Sequence, residues 1–188
     1  MEMFVRHNAR IIVHDYPYAD SVKKEVLDKL DYSTPISKDN TNVKAFHTDW
    51  NWQPQSIILR NLKAYIREEL ERSYKPGKIV TGARDYLLLK NFWANVYRKG
   101  EYAKSHCHKP SAYSFAYFVK CKWYDSPLVF SDYGQKIRPK EGRYVIFPSS
   151  IFHHVPKHRY RDTRVTLSGN TKISENIPII RNGMVKYY

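Results

Sequence analysis

Histidine is the residue type with the clearest chemical pattern in this chain. Eight occur, at positions 7, 14, 47, 106, 108, 153, 154 and 158, and five of them lie between 106 and 158. His106-Cys107-His108 is the informative trio. On a strand, residues i and i+2 point to the same face, so His106 and His108 can aim two imidazoles at one point. A third ligand from a distant strand would complete a facial set and leave positions open for substrate and oxygen. His153 and His154 are the candidates for it, and alternation along a strand lets only one of the two face the site. By itself the pair is matched equally well by two solvent-facing histidines. Cys107 would point to the opposite face of an extended segment and reads as a small buried residue. A zinc site of His/Cys type is open, although four ligands at finger spacing are absent.

These side chains need a scaffold, and the hydrophobic pattern supplies one. Two segments carry helical stripes. Asp20 to Leu30 spaces Val22, Val26, Leu27 and Leu30 along one face, with Ser21 as the expected N-cap. Gln55 to Tyr74 does the same with Ile58, Leu62, Tyr65, Ile66 and Leu70, and Lys75-Pro-Gly77 stops it. From Asp85 onward the pattern changes to short apolar runs separated by turn signals. The runs are Tyr86–Tyr97, Tyr113–Val119, Leu128–Phe130, Tyr144–Phe147, Phe152–Val155 and Arg164–Leu167. Such spacing predicts a sandwich or barrel. Asn182-Gly183, between Ile177 and Tyr187, is a hairpin signal. The polar stretch Ser33–Asn42 reads as a loop inside one domain spanning 1–188.

Composition bounds the rest. The chain has 188 residues, 42% hydrophobic and 15% aromatic, enough for one packed domain and incompatible with global disorder. No apolar run approaches the roughly 20 residues of a membrane span. The opening MEMFVRHNARIIVHD lacks the layout of a signal peptide, and two cysteines, Cys107 and Cys121, do not make a disulfide scaffold. The expected compartment is therefore the cytoplasm. Thirty-two Lys and Arg against 18 Asp and Glu give a net charge of +14. Residues 98–124 carry +5 of this and residues 134–172 carry +7. That excess suits an anionic partner, an acidic peptide or a nucleic acid, and Phe46, Trp50, Trp52 and Trp123-Tyr124 are candidate stacking groups. A solvated, soluble surface would explain it as well.

The ordered series Trp93-Ala-Asn-Val-Tyr-Arg-Lys-Gly100, His106-Cys-His108, Ser114-Phe-Ala-Tyr-Phe118, Ser126-Pro-Leu-Val-Phe130, Glu141-Gly-Arg-Tyr-Val-Ile-Phe-Pro-Ser149, His153 and Arg164-Val-Thr-Leu-Ser-Gly-Asn170 resembles the iron(II)- and 2-oxoglutarate-dependent oxygenases. It is most similar to the small ones of phages and marine bacteria that are related to prolyl hydroxylases. The likeness covers about Tyr86 to Asn170.

The resemblance implies a mainly β fold, a double-stranded β-helix of jelly-roll or cupin type, with two N-terminal helices packed outside. It implies Fe(II) held by His106, His108 and His153, with 2-oxoglutarate and O2 as cosubstrates. Arg164 matches the cation for the far carboxylate of 2-oxoglutarate, and Tyr97 matches a tyrosine that hydrogen-bonds it. Thr166, on the same strand face as Arg164, can donate a hydroxyl to that carboxylate. The expected reaction is hydroxylation of a C–H bond in an external substrate, a protein side chain such as proline first, with oxidation or demethylation of a nucleic-acid base as the alternative. A non-catalytic jelly-roll protein, such as a phage structural module, is the reading from another class. An enzyme encoded by a phage would act in the host cytoplasm. Position 108 departs from the pattern: most of the superfamily has Asp or Glu there. Three neutral imidazoles leave the metal with one more positive charge than the usual set, and Asp132 is the nearby downstream acid that could join it.

Overall fold

Alternation along a few long strands organises the molecule. The computed structural model describes residues 2–5, 9–31, 41–73, 86–174, 179–181 and 184–186. Eight strands form the central body: β5 (Tyr86–Tyr97), β6 (Tyr102–His106), β7 (Tyr113–Lys120), β8 (Leu128–Phe130), β9 (Gln135–Ile137), β10 (Arg143–Pro148), β11 (His153–Val155) and β12 (Arg164–Ser174). They fall into two antiparallel sheets, one ordered β10-β7-β12-β5 and the other β6-β11-β8-β9. The chain passes back and forth between the sheets, which is the connectivity of a jelly roll. The larger sheet is extended at one side by β1 (Glu2–Val5) and β2 (Ala9–Asp15), and at the other by β4 (Phe46–His47). The smaller is extended by β3 (Val43–Lys44). A separate hairpin pairs β13 (Ile179–Arg181) with β14 (Met184–Lys186); its Asn182-Gly183 turn lies outside the described residues.

Each long strand feeds two cores. Val96, Val165, Leu167, Phe115, Tyr117, Tyr144 and Ile146 face outward and pack under helices α1 (Ala19–Lys29) and α2 (Ile57–Ser73). The helices contribute Val22 and Val26, and Leu59, Leu62, Ile66 and Leu70, all buried. Tyr97, Phe118, Val145, Phe147, Ile11 and Val13 face inward, between the sheets. Gly169 is required by this packing. A Cβ there would run into the Phe115 ring and meet the Asn91 carbonyl at 2.7 Å.

Several local expectations shift. α1 starts at Ala19, so Ser21 lies inside its first turn; the N-cap is Tyr18, with no side-chain cap bond. Asp20 in that turn complements the helix dipole instead. α2 is capped by Ser56, whose Oγ accepts the Leu59 N–H at 3.2 Å. Its proposed stop at Lys75-Pro-Gly77, and the loop from Ser33 to Asn40, lie outside the described residues. Strands β1, β2, β3, β4 and β9 lie outside the apolar runs, and β6, expected to run through His108, ends at His106. In β2, Ile11, Ile12 and Val13 are all buried, because both faces of that strand are covered. No helix among the described residues is long and apolar enough to cross a membrane.

Candidate active site

His106 ends β6 and His153 begins β11, and the two are direct partners in the antiparallel register. Directly opposed residues point to the same face, so their rings meet at 4.4 Å. His108 arrives differently from the i, i+2 expectation. β6 stops at His106, and His108 is brought in by a turn. Its N–H donates to the Ser149 carbonyl at 2.8 Å, and its own carbonyl accepts the Ser111 N–H at 2.9 Å. The His108 ring lies 4.9 Å from His106 and 5.0 Å from His153. One ligand nitrogen from each of the three falls within 4.8 Å of the others.

The donor chemistry suits a cation. His106 Nδ1 contacts the Lys104 carbonyl at 2.7 Å, and His153 Nδ1 contacts the Ile151 carbonyl at 3.1 Å. A carbonyl only accepts, so each Nδ1 carries the hydrogen and each Nε2 keeps its lone pair. Burial depresses all three histidines. His106 is shifted down by burial, His108 is lowered to about 4 by burial and by His106, and His153 falls well below its ordinary value by burial. Near neutral pH all three are therefore free bases. His154 is turned to Ser131, whose hydroxyl meets its Nδ1 at 2.8 Å, and stays outside the cluster. Asp132 is exposed and also outside it. Cys107 is half-buried rather than buried, because strand alternation no longer applies once β6 has ended.

Deeper between the sheets sits a buried cation. Arg164 is 2% exposed. Its guanidinium packs over the Tyr97 ring at 4.8 Å and the Phe118 ring at 5.1 Å. Its Nε and Nη1 have no hydrogen-bond partner. Burial works against its charge, and Tyr97, Cys121 and Asp125 favour it. Burial also raises Tyr97 and pushes Cys121 up to about 12, so the hydroxyl and thiol keep their protons. Arg164, Thr166 and Ser168 of β12 face Tyr97, Asn95 and Trp93 of β5 across the ladder. Asn95 donates to Ser168 Oγ at 3.2 Å and accepts from Trp93 Nε1 at 3.1 Å. These residues and the three histidines line one narrow pocket.

His106 and His108 also line an outer cleft of about 550 Å³ with Trp50, Asn51, Asn91 and Asn170. Asn91 donates to Asn51 at 3.1 Å, joining two walls. No Lys, Arg, Asp or Glu lines that cleft among the described residues. Asn95, Ser168, Asn91 and Asn170 were missed from the sequence. Period-two counting from Tyr97 and Arg164 reaches all four.

No family model matches the sequence, and no curated protein matches it either. Solved structures do. A viral collagen prolyl hydroxylase from Paramecium Bursaria Chlorella virus-1, solved with 2-oxoglutarate, superposes with TM-score 0.65 at 12% identity, covering 86% of this chain and 94% of that one. A prolyl-4-hydroxylase of Pseudomonas putida gives TM-score 0.57 at 15% identity, covering 86% and 91%. A prolyl hydroxylase of Trichoplax adhaerens, bound to a peptide fragment of the hypoxia inducible factor oxygen degradation domain, gives 0.62 at 13%, covering 86% and 83%. At such identities the likeness establishes a shared fold.

Proposed function

We propose that this chain is an iron(II)- and 2-oxoglutarate-dependent oxygenase that hydroxylates a C–H bond of an external substrate, with residues 1–188 acting as one domain. One observation carries the reading. Arg164 keeps two buried, unpartnered N–H groups in the same pocket as three histidines with free lone pairs. An unpaired buried guanidinium is costly without an anion to receive it. A dicarboxylate spanning from the histidines to Arg164 meets both needs.

His106, His108 and His153 would hold the metal, with Lys104 and Ile151 carbonyls fixing two of the rings. Arg164 would bind the far carboxylate, flanked by the Tyr97 hydroxyl and by Thr166. The Tyr97 and Phe118 rings orient the guanidinium and exclude water from it. Iron(II) with 2-oxoglutarate bound would supply the oxidant for inserting one oxygen atom of O2 into the substrate, with succinate and carbon dioxide as coproducts. The outer cleft would receive the substrate. Its lining, neutral apart from histidine, suits an uncharged group such as a prolyl ring, and prolyl hydroxylases among the structural neighbours support a protein side chain as target.

The test is titration of Fe(II)-loaded protein with 2-oxoglutarate under nitrogen. The expected result is a visible charge-transfer band, from which Arg164→Ala should show 2-oxoglutarate affinity weakened well over tenfold, as loss of a buried bidentate ion pair of about 2–5 kcal/mol requires. Absence of the band in the unmodified protein would point to a non-catalytic jelly roll. Unchanged 2-oxoglutarate affinity in Arg164→Ala would move the anchor to another cation.

A further inference from the structure

Two buried titratable residues do not line the pocket that chemistry would use. Asp125 is 3% exposed and His158 is 1% exposed. Asp125 closes the turn 122–125: its carboxylate accepts the Lys122 N–H at 2.8 Å, and its own N–H donates to the Lys122 carbonyl at 3.1 Å. His158 pins the segment 158–162, donating from Nε2 to the Asp162 carbonyl at 2.6 Å and from its N–H to the Glu101 carbonyl at 2.8 Å. Ser126 Oγ donates to the Lys157 carbonyl at 3.2 Å and ties the two segments together.

What these polar anchors hold in solvent is aromatic. Trp123 is 72% exposed, Tyr124 37% and Tyr160 43%. Their rings form a chain, Trp123 to Tyr124 at 5.6 Å and Tyr124 to Tyr160 at 4.5 Å. Buried polar anchors beneath exposed rings reverse the usual distribution. Lys122, Lys157, Arg159 and Arg161, all exposed, interleave with the rings, and Asp162 is the one exposed acid in segments 120–126 and 156–163. The patch lies at the Arg164 end of β12, whereas the cleft lies near Asn170. Six residues of strand separate them, about 20 Å.

We propose that this patch binds single-stranded nucleic acid. Bases stack on exposed aromatic faces without regard to sequence, while interleaved cations follow the phosphates. A rigid, hydrogen-bonded platform keeps the ordering cost low. An acidic peptide would satisfy the cations and leave the rings without partners. A membrane surface favours Leu and Phe beside the aromatics, and the two segments hold neither. Duplex bases are already stacked. The inference is independent of the oxygenase reading.

The experiment is fluorescence anisotropy of a short labelled oligo-deoxythymidine, with a glutamate homopolymer and phosphatidylserine vesicles as competitors. Binding should show a log–log salt slope of about −2 to −3, from roughly 0.7 per neutralised phosphate and four cations. Trp123→Ala should weaken binding about 5- to 150-fold, the range of one lost stacking contact, with an unchanged melting temperature. Arg159→Gln with Arg161→Gln should flatten the slope by roughly 1.4. Trp50→Ala, in the cleft, should leave oligonucleotide affinity intact. Wild-type affinity in Trp123→Ala, loss in Trp50→Ala, or equally strong competition by the peptide or the vesicles would overturn the proposal. None of these outcomes alters the anaerobic 2-oxoglutarate titration, so the two readings fail separately.

Discussion

Val165 and Leu167 are fully buried on the helix side of β12, and Arg164 and Thr166 are 2% and 3% exposed on its other side. Burial is the same on both faces of one strand, and its energetics are opposite. On the helix side, apolar area leaves water and each large side chain contributes about 1.5–3 kcal/mol. On the inner side, a guanidinium loses its hydration with two N–H groups unpaired. That face gains nothing for folding from its polar groups. The outer face holds the sheet in shape, and its rigidity lets the inner face keep a constellation that would not assemble by its own stability.

The sharpest way to break this comparison is within the histidines. His106→Ala and His153→Ala should abolish stoichiometric divalent metal binding, read by calorimetry. His154→Ala, adjacent in sequence but turned to Ser131, should keep it. Equal loss in all three would mean that the inner pocket does not select its ligands by face.

Next come opposite signs on one strand. Leu167→Ala should destabilise the fold by about 2–5 kcal/mol in denaturant unfolding. Arg164→Met should be neutral or about 1–4 kcal/mol more stable, because an apolar side chain of similar volume replaces a buried charge. The same variant should lose 2-oxoglutarate affinity. A strongly destabilised Arg164→Met would show that the guanidinium has a structural role.

The smallest effect is on pH. All three site histidines have folded pKa values below the ordinary 6.5, His108 at about 4. Below about pH 6.5 the unfolded chain therefore binds protons that the folded chain refuses. Metal-free protein should lose stability as pH falls from 6.5 toward 4, and His108→Asn should flatten part of that loss. A melting temperature independent of pH across this window would contradict the burial.

How much was legible follows from where the information sits. The runs Arg164–Leu167 and Tyr113–Val119 announce strands, and alternation from Arg164 to Thr166 puts both on one face. His106 and His153 were identifiable because the motif series is ordered. β2 escaped because Ile11-Ile12-Val13 is apolar on both faces and has no period to detect. Cys107 was read as buried because the strand was assumed to run through His108. The sequence shows an excess of positive charge over 98–124 and 134–172 but not that part of it gathers with Trp123, Tyr124 and Tyr160 at the Arg164 end of β12.

The sequence by itself determined the β-rich pattern of a sandwich or barrel, the alternation that divides each strand between two cores, and the histidines and arginine available for a cation and an anion. These are local properties, set by side-chain polarity along one extended backbone. Which residues meet was decided only in three dimensions. His106 faces His153 because β6 and β11 pair in one register, and a shift of a single residue would send one ring to the other side. His108 joins them through a turn held by the Ser149 carbonyl, 41 positions away in the chain. Arg164 is left with unpaired N–H groups because Tyr97 and Phe118 cover its faces while no acid among the described residues is positioned to bond its Nε and Nη1. Pairing register and long-range hydrogen bonds are collective quantities, fixed by the packing of the whole sandwich.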